Sequence, residues 1–188
     1  IRMAINAIIV IGLNLLIGFA GQISLGHAGF LGIGAYASAV LPTHFGFHPL
    51  LAMAAGAAAT AVIASVVAKP IFKLKGNYLA MATLGLGIII NIALRNEAQW
   101  TGGPDGMAVP AFALFGMELS SDKQWYWVVA SLLVISVWAS LNIIDSPFGR
   151  ALRALHGSEV ASQVVGVNIA RYKVSIFVLS AVFASIMG

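Results

Sequence analysis

Polar side chains are scarce in this sequence, and those set among apolar residues fall into four groups. The first is Gly21-Gln-Ile-Ser-Leu-Gly-His27, where Gln22, Ser24 and His27 are the only grouped polar side chains of residues 1–41. An amide, a hydroxyl and an imidazole on glycine-rich backbone of poor helix propensity can line a partly unwound passage for a polar solute. They can equally hydrogen-bond a neighbouring helix across a close contact of small residues. The second group is Thr83 and Asn91, in the apolar stretch 78–94 that Gly76-Asn-Tyr-Leu-Ala-Met-Ala-Thr-Leu-Gly-Leu-Gly87 enters. Those glycines are not a phosphate loop, because no Lys-Ser/Thr follows them in a strand–loop–helix setting. Thr83 and Asn91 are therefore read as interhelical hydrogen-bonding groups or as solute contacts.

The third group is Trp100-Thr-Gly-Gly-Pro-Asp-Gly106, carrying Thr101, Gly102, Gly103 and Asp105. Gly103-Pro-Asp-Gly106 predicts a turn with Pro104 fixing φ at its second position. The surrounding loop, residues 95–124, is long for a mere connection and predicts a structured surface. The fourth group runs from Ser146 to Asn168. Ser146 can cap a helix with Pro147 at its first position, and Gly157 can end it. Phe148, Leu152 and Leu155 then share one face, and Arg150 and Arg153 another. Ser158 can cap a second short helix, with Glu159 in its first turn and Gly166 as terminator. Two capped helices of this length form either a docking surface or a pair of interfacial helices lying on lipid headgroups.

None of these groups is a catalytic constellation. His27 alone does not supply the nucleophile–base or metal pair that an intramembrane enzyme needs, and His44 and His48 sit in a separate loop, so no metal site is expected. The absence of cysteine excludes disulfides and thiolate metal sites. No basic patch with interleaved aromatics points to nucleic acid. The six acidic residues lie in loops or at the edges of apolar runs, which weakens a proton-coupled mechanism. No nucleotide-binding motif is present, so energy from ATP has to come from a partner.

The elements that carry these groups are apolar. Stretches 3–21, 23–41, 49–68, 78–94, 125–144 and 174–188 contain no Asp, Glu, Lys or Arg. A helix needs about 20 residues to cross the ~30 Å hydrocarbon core. Hydrophobic residues make up 60% of the chain and charged residues 9%, against about 25% charged in soluble domains. The expectation is an all-α polytopic membrane protein with about six membrane segments in the lipid bilayer. One of them is broken or re-entrant, because the glycines over 18–34 interrupt the first two stretches and only Gln22 separates them.

Charge placement orients the bundle. Loop 69–77 carries Lys69, Lys73 and Lys75, and loop 145–173 carries Arg150, Arg153, Arg171 and Lys173, against Arg2, Arg95 and Lys123 on the other side. Positive residues collect on the cytoplasmic side, so 69–77 and 145–173 are expected inside, and 42–48 and 95–124 outside. The Trp125–Trp127 aromatic cluster suits the outer interface.

Three motifs carry a family resemblance. Asn14-Leu-Leu-Ile-Gly-Phe-Ala-Gly-Gln-Ile-Ser-Leu-Gly-His-Ala-Gly-Phe-Leu-Gly-Ile-Gly-Ala-Tyr36 resembles the signature of permease subunits of branched-chain amino acid ABC importers. Gly76-Asn-Tyr-Leu-Ala-Met-Ala-Thr-Leu-Gly85, followed by Thr101-Gly-Gly-Pro-Asp-Gly106, resembles the LivM type rather than its LivH-type partner. Phe148-Gly-Arg-Ala-Leu-Arg-Ala-Leu, then Glu159-Val-Ala and Gly166, is similar to the Glu-Ala-Ala…Gly coupling loop of ABC importers, with Val160 in place of the first Ala.

The resemblance implies a non-enzymatic transport subunit in the inner membrane of a prokaryote. It implies a second permease of LivH type, two cytoplasmic ATPases that bind the ATP, and an extracytoplasmic solute-binding protein. It also implies that residues 1–188 are part of one permease domain that continues beyond both ends. It assigns Arg150, Arg153, Glu159 and Gly166 to ATPase coupling, and Gln22, Ser24 and His27 to the passage, where Thr83 and Asn91 join them as candidates from the residue reading alone. Thr101, Gly102, Gly103 and Asp105 become a receptor-docking surface. The competing reading is an ion-coupled secondary transporter, for which the glycine-rich break is available and the intramembrane carboxylates are missing.

Overall fold

Helix boundaries follow local capping chemistry. In the computed structural model, which describes residues 1–74, 76–103, 113–114, 117–118 and 121–188, the first helix, α1 (Arg2–Asn14), passes directly into a π-helical turn at Leu15–Phe19. Backbone over 21–26 is unwound, and α2 (His27–Phe45) begins behind it. The chain reverses through Gly46 into α3 (Pro49–Ile71), whose proline stands in the first turn, where a missing N–H costs nothing. Then come α4 (Asn77–Asn96), the short α5 (Ala98–Thr101) and a two-residue antiparallel pair, β1 (Ala113–Leu114) with β2 (Met117–Glu118). Ser121 and Gln124 form a reciprocal capping box that starts α6 (Asp122–Asp145). Ser146, Ser158 and Asn168 then cap α7 (Pro147–Gly157), α8 (Glu159–Val164) and α9 (Ile169–Ile186).

Among the described residues, five helical segments are long and apolar enough to cross a membrane: Arg2–Phe19, Pro49–Ile71, Asn77–Asn96, Asp122–Asp145 and Ile169–Ile186. The 19-residue α2, with its polar and glycine content, is the sixth long member of the bundle. The fold is that of an all-α, multi-pass membrane protein. The helices run past the charge-free stretches. Arg2 lies inside α1, Lys69 inside α3, Arg95 inside α4, Asp122, Lys123 and Asp145 inside α6, and Arg171 and Lys173 inside α9, because a charge at a helix end is compatible with helix wherever it reaches water or a counter-ion. The break is also narrower than the glycines predict. Gly29, Gly32 and Gly34 are regular helix, and packing explains it: a Cβ at Gly34 would overlap the Ser185 carbonyl. Close approach of backbones outweighs poor propensity here.

The core is built around α9. Ile176, Phe177, Ser180, Ala181, Ala184 and Ser185 are buried on it. On α3, Ala52, Gly56, Thr60, Ala64 and Ala68 recur every fourth residue and are all buried, forming one small-residue ridge that lets α9 approach. Phe177 meets Phe30 and Phe72 edge-to-face, at centroid distances of 5.6 and 5.4 Å.

The direction of the first two helices follows from their neighbours. Ser180 lies beside both Gly12 of α1 and His27 of α2. Further along α2, Gly34 meets Ser185, so α2 runs parallel to α9. Further along the first segment, Gly21 meets His156 of α7, so α1 runs the other way. The break at 21–26 is therefore the turn between two antiparallel segments, and it lies at the end of the bundle that carries α7 and α8. Leu74 and Gly76 line a cleft with Glu159 and Lys173 at that same end. At the opposite end, Trp100 stacks on Phe45 with ring planes 4° apart and touches His44.

Candidate functional site

The unwound turn alternates. Gln22, Ser24 and Gly26 point inward, while Ile23 and Leu25 are exposed. The alternation places Gln22 and Ser24 inside, and His27 follows them into the core at the start of α2. The polar groups then satisfy one another. Ser180 Oγ donates to the Gly12 carbonyl at 2.7 Å and has spent its only proton there. Its 2.7 Å contact with His27 therefore runs from the imidazole Nε2–H to Ser180 Oγ. In the neutral ring Nδ1 accepts from the Ser24 hydroxyl, 3.0 Å away. The chain Ser24–His27–Ser180–Gly12 thus ties the turn, α2, α9 and α1 together. Thr83 acts alike from α4: its hydroxyl donates to Ala80 O at 2.9 Å and accepts the Leu25 N–H at 3.1 Å.

Of the five residues read as passage groups, the structure gathers four. Gln22, Ser24, His27 and Thr83 are all buried around the turn, and three of them are joined to structural partners on other elements or in the turn. Gln22 donates to Ala20 O at 2.9 Å and borders a cleft of about 220 Å³ with Gly21, Leu79, Glu159 and Lys173. Asn91 stands apart, exposed on α4.

The α7–α8 layer is the second part of the site. Leu152 and Leu155 are buried against the bundle, and Phe148 stacks on Tyr172 at 5.2 Å. The apolar face of α7 is therefore committed to protein, which removes it as a lipid-binding face. Arg150 and Arg153 are exposed on the other side, with Arg150 Nη1 donating to the Asp145 carbonyl. Val160 and Val164 on α8, and Val165 just past its end, are 74–83% exposed and present apolar surface. Gly166 ends this helix at φ +87°, in the left-handed region.

Glu159 is placed differently from a free surface carboxylate. Its Oε1 accepts a hydrogen bond from Lys173 Nζ at 2.5 Å, and the Lys173 side chain is only 7% exposed. A wide cleft of about 520 Å³ between α8 and α9 is lined by this pair with Gln163, Gly166 and Asn168.

The residues read as a docking surface at the opposite end are partly internal. Thr101 is buried and donates to the carbonyls of Leu94 and Glu97, while accepting the Gly103 N–H at 3.2 Å. It closes the end of α4. Gly103 is buried and Gly102 partly so. Asp105 and most of the Gly103–Gly106 turn lie outside the described residues.

Sequence reasoning missed two partners, Ser180 for His27 and Lys173 for Glu159. Both pairs join residues on different elements, and no periodicity signals them. The Val160–Val164 patch was legible as an i, i+4 apolar pair on a capped helix.

The site is thus built on a small-residue helical bundle with a broken first hairpin and two capped helices across one end. The family model described as "Branched-chain amino acid transport system / permease component" matches residues 1–188, and the chain belongs to that family. Among curated proteins, the "High-affinity branched-chain amino acid transport system permease protein LivM" of Salmonella typhimurium is 32% identical over 98% of this chain and 49% of its own. The protein of the same description from Escherichia coli gives the same figures. A "Probable branched-chain amino acid transport permease protein LivM" of Methanocaldococcus jannaschii is 21% identical over 68% of this chain. The chain thus spans about half the length of the first two relatives. No solved structure matches it. The family is one of transport permeases, not of enzymes, and it does not favour an ion-coupled secondary transporter.

Proposed function

We propose that this chain forms part of the LivM-type permease subunit of an ATP-driven importer of branched-chain or related amino acids, in the inner membrane of a prokaryote. The observation that carries this reading is the match of the permease family across residues 1–188. The α7–α8 end faces the cytoplasm, as its cations require. There the ATPase subunits, which bind the ATP, meet Arg150, Arg153 and the exposed valines of α8. Glu159 and Gly166 act from behind, holding α8 against α9 and ending it. A LivH-type permease and a solute-binding protein complete the assembly, the latter over the 97–107 loop.

The geometry supports a route from ATPase to passage. A push on α8 reaches α9 through Glu159–Lys173, and the same pair borders the cleft of Gln22. Ser24, His27 and Thr83 keep the turn open by occupying its polar groups, and Gln22 stands nearest the inner mouth. The test is reconstitution of the full complex in proteoliposomes with its binding protein. Leucine, isoleucine or valine uptake that requires ATP and all subunits is the expected result. Uptake by the permeases alone, driven by an ion gradient, would overturn the reading.

A further inference from the structure

The outward faces of α1 and α3 differ. On α3 the exposed positions between Leu51 and Val66 are all Leu, Ala, Val or Ile, as a lipid-facing surface should be. The exposed face of α1 is different. It runs through Asn6, Val10, Asn14, Ile17, Gly18 and Gly21, at the three- and four-residue spacing of one helix side. Neither Asn6 nor Asn14 makes a side-chain hydrogen bond among the described residues, though α1 belongs to a membrane-crossing segment. Asn14 lies just past Gly12, level with Ser180, and Ser180 is well inside α9. An amide at that depth needs water, a solute or protein beside it.

The backbone beneath Asn14 is also open. The π turn begins at the next residue, and π turns recur at functional sites. The Gly21 and Gln22 amides bond back to Ile17 and Leu16, each at 3.1 Å. This leaves the carbonyls of Gly18 and Phe19 without a donor among the described residues. Unbonded carbonyls at a helix C-terminus carry partial negative charge, which suits an ammonium group. The Asn14 amide leans over Gly18: a Cβ there would stand 2.5 Å from Asn14 Oδ1. Val10 and Ile17, both exposed, offer aliphatic contact on either side. Below, Gly21 meets the exposed imidazole of His156 on α7, so the face ends at the α7–α8 layer.

We propose that this face of α1 and its π turn is this subunit's wall of the solute passage, and that Asn14 contacts the solute. The chemistry fits a zwitterion with an aliphatic side chain: amide and free carbonyls for its polar groups, Val10 and Ile17 for its side chain. The inference rests on the transport reading and deepens it. Gln22, Ser24, His27 and Thr83, four of the residues assigned earlier to the passage, sit behind this wall and hold its turn in shape.

The test exploits the absence of cysteine from these residues. In the assembled transporter, single cysteines replace Asn14, Asn6 and, as a lipid-facing control, Val62. A small cationic methanethiosulfonate reagent is the probe. Asn14→Cys should react roughly ten-fold or more faster than Val62→Cys, because charged reagents do not enter hydrocarbon. The amino acid found in the uptake assay should slow that reaction several-fold. Asn6→Cys serves if Asn14→Cys fails to assemble. Reaction no faster than at Val62 means that lipid or packed protein covers the face, and overturns the proposal. So does fast reaction with no effect of the transported amino acid. A wild-type complex without ATP-dependent uptake sinks the transport reading instead, so the two failures remain distinguishable.

Discussion

Lys173 and Glu159 stand 2.5 Å apart, nitrogen to oxygen, and join the short α8 to the central α9. The lysine side chain is 7% exposed and the carboxylate 37%, so the cation depends on the pair more than the anion does. Breaking a buried pair from one side leaves an uncompensated charge, which is costlier than removing both partners. Glu159→Gln should therefore destabilise the complex by about 2 kcal/mol, less than a fully buried pair because water reaches the carboxylate. The Glu159→Gln/Lys173→Met double variant should recover most of that loss. Thermal denaturation of the purified complex measures both. If Glu159→Gln leaves stability untouched but loosens the ATPase, the carboxylate serves the partner and not Lys173.

Gly166 tests the end of α8 without steric complication. It sits at φ +87°, and a Cβ there would meet nothing within 4 Å. The cost of a side chain is thus conformational. Gly166→Ala should lose about 1–2 kcal/mol and Gly166→Asn less, since Asn tolerates the left-handed region. Both should weaken coupling of ATP hydrolysis to uptake, in that order. Equal coupling in Gly166→Val and wild type would detach this residue from the docking role.

The His27–Ser180 contact spans the core at 2.7 Å. Ser180→Ala should cost about 1 kcal/mol, and His27→Ala about 2–4 kcal/mol, because a buried ring and two hydrogen bonds go together. A double-mutant cycle should give a coupling near 1 kcal/mol. The folded fraction of His27→Ala should keep the KM for uptake. A raised KM with unchanged stability would return His27 to direct solute contact.

Two glycines separate packing from propensity. A Cβ at Gly34 would overlap the Ser185 carbonyl, whereas one at Gly85 would meet nothing within 4 Å. Gly34→Ala should cost at least about 2 kcal/mol through overpacking. Gly85→Ala should be neutral, or gain up to about 1 kcal/mol of helix propensity. Size-exclusion profiles and melting curves of the two variants decide it.

Orientation has its own check. Cysteines at Lys73 and Ser158 should be labelled from the cytoplasm, and those at Phe47 and Asp105 from outside. Reversed labelling would move the α7–α8 layer away from the ATPases.

Much of this fold was legible without coordinates, because its causes are local. A bilayer-length helix announces itself by an uncharged apolar run. Ser146, Pro147, Ser158 and Gly166 act on neighbouring backbone, so the ends of α7 and α8 follow from nearest-neighbour chemistry. The site was legible only in part. Gln22, Ser24 and His27 stood out as polar residues in an apolar stretch, but whether they face a solute or one another depends on Ser180, 153 residues from His27. The fate of the glycines was decided the same way. Gly29 and Gly34 became helix because α4 and α9 come close there, and the backbone opened at 21–26, where Ile17 and Leu16 accept the amides of Gly21 and Gln22. Glu159 could be placed at a helix start from sequence, yet its partner was set by the return of α9. Local propensity and capping determined which segments are helical. Tertiary contact alone decided which polar groups are satisfied inside the bundle, and that Asn6 and Asn14 remain outside it.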